Sequence, residues 1–206
     1  MSKTIKLSQN LFLCRNDTGV KLLPLSNLNS PQNKGFVSTG FTLKKLMELP
    51  FNIYFLDRKG ETLQMNGPCI EICGFKGSKE SIGKSLFDVS HQTSANELIN
   101  NCTQTIAENK IRIFEEENLR NDGVTLRFLS VKSPWYDEEN NIIGIFGCSI
   151  VLGEQSLAQS LIQITTLGLL DPACFTLEQR IIGPVPTNED DLSERENMCV
   201  YHLCNG

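Results

Sequence analysis

The pattern of apolar and polar positions is clearest between Asn52 and Met65. Ile53, Tyr54, Phe55 and Leu56 form an aromatic and β-branched run, Asp57-Arg58-Lys59-Gly60 interrupts it, and Thr62-Leu63-Gln64-Met65 resumes it. Two such runs around a polar turn ending in Gly predict a hairpin. Asn66 then stands at a helix N-cap position, Pro68 just inside the first turn and Gly74 at the left-handed stop, which predicts a short capped helix.

The same patterning predicts the elements on either side. Upstream, Thr42 caps a short helix that carries Leu43, Leu46 and Met47 on one side and ends before Pro50. Downstream, Ser85 to Val89 reads as a turn. Ser94-Ala95-Asn96-Glu97 reads as a capping box opening a helix to Asn109, with Leu98, Ile99, Cys102 and Ile106 on one stripe. Three strands follow, Ile111 to Leu119, Thr125 to Tyr136 and Ile142 to Leu152, joined by Asn121-Asp122-Gly123 and by the acidic turn Asp137 to Asn141. The run Glu115-Glu116-Glu117 reads as a solvated face or an edge. Residues 1–41, polar and rich in Asn, Ser and Lys, are expected to be flexible or only partly ordered.

Composition narrows the class. Of the 206 residues 40 % are apolar and 21 % charged, as in a soluble globular protein. No run has the length of a membrane span and the N-terminus lacks a signal-peptide core, so a cytoplasmic protein without a membrane partner is expected. The eight cysteines are scattered through apparent strands and helices, which fits buried reduced thiols. Cys69 and Cys73 share a helix face, but neither His91 nor His202 has a partner at ligand spacing, so no metal site is assigned. A net charge of −5 without a basic cluster leaves little attraction for nucleic acid in these residues themselves. No phosphate loop, zincin helix, dinucleotide fingerprint or nucleophile elbow occurs, and an enzyme is not expected.

Strand, turn, strand, capped helix, long helix and three strands, in that order, resemble a PAS sensor domain over residues 43–153. The resemblance implies an α+β PAS fold: a five-stranded antiparallel sheet covered on one face by short helices and one long helix, with flanking helices. Light-sensing flavin members carry a reactive Cys in an N-C-R-F-L-Q phrase after a G-[KR] step. Here Gly83-Lys84 leads into Ser85-Leu86-Phe87, and that chemistry is not implied. Haem-binding members use a His on the long helix, and residues 96–109 contain none. The cofactor is therefore unknown, and either a small organic ligand or a purely dimerising role is open. Strand parity and helix face nominate Phe55, Met65, Cys69, Ile72, Leu98, Phe128, Ser130 and Gly147 as pocket walls, with Ser149 as a further polar contact. Gly147 allows either a ligand or the covering helix to approach closely.

Beyond the sheet, Ser156-Leu157-Ala158-Gln159 opens a helix to about Leu170, and the family places its signalling helix there. A parallel homodimer is expected through Leu157, Leu161 and Ile164 of this helix and Leu46 and Met47 of the earlier one. Residues 171–191 read as a linker. The last stretch, LSERENMCVYHLCNG, resembles the start of a LuxR-type helix-turn-helix domain on Leu192, Ser193, Arg195, Glu196, Val200, Leu203 and Gly206. That resemblance implies a transcriptional regulator whose DNA contacts come from a C-terminal domain begun at 192–206 and incomplete here. The alternative is a PAS interaction module of a signalling kinase or another signal-transduction protein. The expected organisation is thus a segment 1–41, a PAS domain with its preceding helix at 42–153, a helix at 154–170, a linker at 171–191 and the start of an output domain at 192–206.

Overall fold

A computed structural model describes residues 7–153 together with 162, 164, 165 and 167–169. The chain divides into two units, Met1–Leu152 and Gly153–Gly206.

The first unit is organised by a continuous sheet. Its central part comprises β4 (Asn52–Asp57), β5 (Thr62–Met65), β6 (Arg112–Leu119), β7 (Thr125–Tyr136) and β8 (Ile142–Val151). Their spatial order is β5-β4-β8-β7-β6, antiparallel throughout. This is the five-stranded PAS sheet that the order of elements implied. On one face lie α2 (Gly67–Cys73), α3 (Ser78–Ser81) and α4 (Gln92–Glu108). The β4 strand is buried along almost its whole length, as a central strand covered on both faces must be.

The sheet does not stop at five strands. The segment 1–41, expected to be flexible or only partly ordered, instead contributes β1 (Phe12–Arg15), β2 (Val20–Leu23) and all but the last residue of β3 (Val37–Thr42) to an eight-stranded sheet. The edge of β7 away from β8 pairs with β6 along Thr125–Lys132, then continues in parallel with β2 at Trp135 and Tyr136. Long-range contacts that no local pattern announces hold this extension. The Lys21 side chain, fully buried, donates to Asn33 Oδ1 at 2.9 Å and to the Glu138 carbonyl at 3.3 Å, and lies over the Phe36 ring. Burial lowers its pKa, and the acidic turn at Asp137, Glu138 and Glu139 works against that shift. A Cβ at Gly19 would lie 2.5 Å from both the Pro134 carbonyl and the Tyr136 ring, so only glycine lets β2 approach β7 there.

Local signals fare well at the capped elements. Thr42 Oγ1 accepts from Lys45 N at the start of α1 (Leu43–Met47). Gly74 ends α2 at φ +82°. The long helix differs: α4 starts at Gln92 after His91, two residues before the expected box, and Ser94 Oγ instead accepts from Leu119 N. A tertiary partner has taken the hydroxyl that would have capped.

Asn66 does more than cap. Its Oδ1 accepts from Cys69 N at 3.1 Å and Ile53 N at 3.0 Å, while Nδ2 donates to the Leu49 carbonyl at 3.1 Å and the Phe51 carbonyl at 2.7 Å. One buried amide thereby joins the approach to β4, the strand itself and α2.

Leu46 is fully buried within the chain, which corrects its assignment to a dimer surface, whereas Met47 is half-buried. In the second unit Ile162, Ile164 and Thr165 are helical, and Ile164 is fully buried, which corrects its assignment to a dimer surface in the same way. The expectations for Leu157, Leu161, the linker and residues 192–206 lie outside the described residues. No helix among the described residues is long and apolar enough to cross a membrane.

We expect Asn66→Ala to cost about 3 kcal/mol, because it strips three buried backbone groups and one part-buried one of their shared partner. Thermal unfolding should show this as a fall of roughly 10 °C. A change within about 0.5 kcal/mol would show that Asn66 does not join these elements energetically.

Candidate functional site

Between the sheet and α2–α4 lies a cavity of about 70 Å³. One water needs about 10–15 Å³ by this measure, so the space holds roughly five water-sized groups. Apolar walls come from Leu56, Met65, Ile72, Phe75, Val89, Leu98 and Phe128, and sulfur from Cys69, Cys73 and Cys102. The sheet contributes a polar floor of Asn52, Tyr54, Glu116, Asn118, Ser130, Lys132 and Ser149.

That floor follows from strand register. Asn52 opposes Ser149, Tyr54 opposes Gly147 and Leu56 opposes Ile145, and one side of each pair faces α2–α4. Across β7, Ser149 opposes Ser130 and Gly147 opposes Lys132. On β6 the positions of the same parity are Glu116 and Asn118. The expected pocket residues Met65, Cys69, Ile72, Leu98, Phe128 and Ser130 all line the cavity. Phe55 does not. It lies on the opposite face of β4, fully buried, its ring 4.9 Å from Phe146 and 5.1 Å from Trp135. Its neighbour Tyr54 takes the cavity position, which is the exchange a one-residue parity error produces. Gly147 sits beneath Tyr54: a Cβ there would meet Tyr54 Cζ at 2.1 Å. The glycine thus makes room for a side chain of the protein and is not itself a wall.

The centre of the floor is an ion pair that the sequence reading missed. Lys132 Nζ lies 3.1 Å from Glu116 Oε1, with each side chain only 3 % exposed. The ammonium also donates to Tyr54 OH at 3.1 Å, and Asn101 Nδ2 donates to Glu116 Oε1 at 2.8 Å. Beside this pair, Asn52 Nδ2 donates to Ser149 Oγ at 3.1 Å. Glu116 is therefore not part of a solvated face; Glu115 and Glu117 on either side are exposed, as strand alternation requires. Parity along Phe114, Glu116 and Asn118, with Lys132 two residues from Ser130, was the available signal.

Burial would depress the Lys132 ammonium, but charge on Cys102 and Tyr54 at the high pH where they ionise, and on Glu116 throughout, outweighs that and holds its pKa well above the ordinary Lys value. Burial raises the Tyr54 phenol far above its usual range, so it stays protonated. Burial likewise raises the Cys102 thiol, and the Cys69 thiol is raised first by its hydrogen bond with Cys73 and then by burial. Away from the cavity, burial pushes Cys14 to about 11 and Cys148 to about 12. These are inert thiols at neutral pH. Among the described residues no three His, Cys, Asp or Glu side chains are placed to hold a metal ion. His91, exposed at the start of α4, caps it by position without a side-chain hydrogen bond.

Residues 46–149 match the family model for the PAS fold. The chain belongs to the PAS family. Among solved structures it is similar to Vibrio cholerae VqmA in a ligand–DNA complex, at 19 % identity and a TM-score of 0.50 over 64 % of this chain and 61 % of that one. A VqmA dimer solved without target DNA gives 20 % identity and a TM-score of 0.49, covering 56 % of this chain and 53 % of that one. A PAS domain from Colwellia psychrerythraea gives 16 % and 0.48, covering 54 % and 94 %. At these identities the likeness is one of fold. This chain spans little more than half the length of the VqmA chains it matches. No curated protein matches it.

Removing the carboxylate should expose what the ion pair does. Glu116→Gln leaves Lys132 buried without a counter-ion, and we expect a loss of about 3 kcal/mol near neutral pH. The pH dependence should also reverse. In the parent, Lys132 is held above its unfolded value, so its contribution is complete below about pH 10 and is lost only as pH rises through the raised folded value. In the variant its folded value drops below the unfolded one, so the unfolded state binds more protons and stability rises from neutral pH towards about pH 10. Chemical denaturation across that range checks both signs, and parallel curves for parent and variant would contradict the assignment.

Proposed function

We propose that this chain is the sensory PAS portion of a LuxR-type transcriptional regulator, and that a small molecule in the cavity between sheet and helices is its signal. The observation that carries the ligand reading is the Lys132–Glu116 pair with Tyr54, Asn52 and Ser149 on the cavity floor. Buried ion pairs seldom improve stability over apolar side chains of similar size. A scaffold that only had to dimerise would gain nothing by lining its cavity with one, whereas a binding site needs a few placed polar groups in an apolar surround.

The regulator reading rests on the residue pattern at 192–206, with Leu192, Ser193, Arg195, Glu196, Val200, Leu203 and Gly206 in the positions of the first helix of a LuxR-type output domain. In this reading residues 42–153 sense, residues 154–170 carry the signal and pair two copies, residues 171–191 link, and DNA is contacted by the domain that 192–206 begins. With Leu46 and Ile164 both buried within the chain, the homodimer rests on Leu157 and Leu161, and Met47 is a further contact. The protein acts by binding and conformational coupling rather than by catalysis, in the cytoplasm.

Two measurements test this. Native mass spectrometry and thermal shift with a library of small neutral fragments should find binders that raise the melting temperature. Ser130→Met, which extends a side chain into the cavity, should remove that response while the protein stays folded. Light scattering should give a dimer that Leu161→Asp dissociates. Absence of any stabilising small molecule, or a response untouched by Ser130→Met, overturns the sensor; a monomer unaffected by Leu161→Asp overturns the assembly.

A further inference from the structure

The walls of the cavity are not equally held. Its floor is the sheet, whose strands are bonded to one another along their length. One side of the roof is α2, fixed by the four hydrogen bonds of Asn66. The other is α4, 17 residues long and tied to β6 through Asn101 and Ser94. Between the two helices runs the segment 75–89, which carries Phe75, Ser85, Leu86 and Val89 into the lining. Its only regular pieces are α3, of 4 residues, and a single 3-10 turn at Leu86–Asp88, each too short to be stable by itself. Ile82 and Phe87 on it are 51 % and 49 % exposed, so part of its apolar surface does nothing to hold it down.

This segment is tied to the sheet at two places. At its middle, Gly83 N donates to the Thr62 carbonyl at 2.8 Å and Thr62 N to the Lys84 carbonyl at 2.7 Å. At its far end, Asn121 N in the corner between β6 and β7 donates to the Val89 carbonyl at 2.9 Å. The same corner reaches back to the near end. Arg120 Nη1 donates to the Ile72 carbonyl at 2.9 Å, one of the groups that the end of α2 leaves without a helical partner. Asp122 steadies the guanidinium, accepting from Nε at 3.1 Å through Oδ1 and from Nη2 through Oδ2. Gly74, at φ +82°, leaves room for it: a Cβ there would lie 2.8 Å from Arg120 Nη2.

We propose that residues 75–89 form a strap that opens about Gly74 to admit small molecules to the cavity, and that Arg120 is the latch that keeps it shut. Arg120 and its neighbour Asn121 hold the two ends of the strap to one corner, so loosening that corner frees both. The inference concerns the way into the cavity rather than its occupant, and its test needs no ligand.

The full chain is treated with methyl methanethiosulfonate, a small neutral reagent that transfers a methylthio group to a thiolate and releases methanesulfinate. Cys73, at the end of α2 and in the lining, is the reporter; Cys14 and Cys148, buried outside the cavity, are the controls. Labelling is followed by peptide mass mapping. Arg120→Ala should label Cys73 about tenfold faster, with Cys14 and Cys148 unchanged. Asp122→Asn, which leaves the guanidinium in place but weakens its support, should act in the same direction by a smaller factor. The Cys73 thiol is held low first by its hydrogen bond with Cys69 and then, against burial, by the Arg120 charge. Removing that charge would by itself slow labelling, so acceleration reads access. In the parent, hydrogen exchange should show the Gly83 and Thr62 amides opening together, at least tenfold faster than those of β4. Unchanged labelling of Cys73 in Arg120→Ala overturns the latch, and Gly83 and Thr62 amides that exchange only with those of β4 overturn the strap. Equal acceleration at Cys14 and Cys148 reads loss of the whole fold and overturns both. A screen that finds no stabilising small molecule bears on the occupant proposed above and leaves these outcomes as they are.

Discussion

A lysine ammonium on the inner face of a sheet cannot stand alone, and much of this domain is arranged around that constraint. Lys132 reaches from the central strand β7 and needs a carboxylate, which β6 supplies through Glu116. Glu116 in turn draws Asn101 of α4 towards the sheet, and Lys132 positions the hydroxyl of Tyr54 on β4. Tyr54 can lie flat there only because Gly147 on β8 has no side chain beneath it. One ion pair thus fixes contacts between three strands and the long helix, and it does so on the floor of a cavity rather than in solid core.

The N-terminal extension shows a second way that distant charge sets structure. Lys21 is buried against the acidic turn between β7 and β8, with Asn33 and the Glu138 carbonyl as its acceptors. Tyr136 closes the same corner, donating to Thr18 Oγ1 at 2.8 Å and stacking edge-on with Phe36. The eight-stranded sheet is a PAS core with a β-rich addition clamped to one end of its longest strand.

Much of this was legible in the residues. The hairpin at 52–65, the Asn66 cap, the Gly74 stop and the three C-terminal strands follow from local chemistry, and their order implied the family. What failed has identifiable causes. β4 is buried on both faces, so its sequence lacks the alternation that tells Tyr54 from Phe55. Glu116 was hidden inside a run of three carboxylates, where composition argues for solvent and only strand parity argues for burial. The strands at 12–42 are short and polar between their inward residues, and what orders them comes from residues a hundred positions away. Ser94 had a capping pattern but spends its hydroxyl on Leu119 instead.

The central claim is that the Lys132–Glu116 pair serves binding rather than stability. Replacing both partners together, as Lys132→Met with Glu116→Leu, tests it most directly, because neither charge is left stranded. Thermal unfolding of this double variant, alone and with a stabilising fragment, is the measurement. The account predicts a melting temperature equal to or above the parent's and no fragment-induced shift. A large loss of stability together with an undiminished fragment response would contradict it.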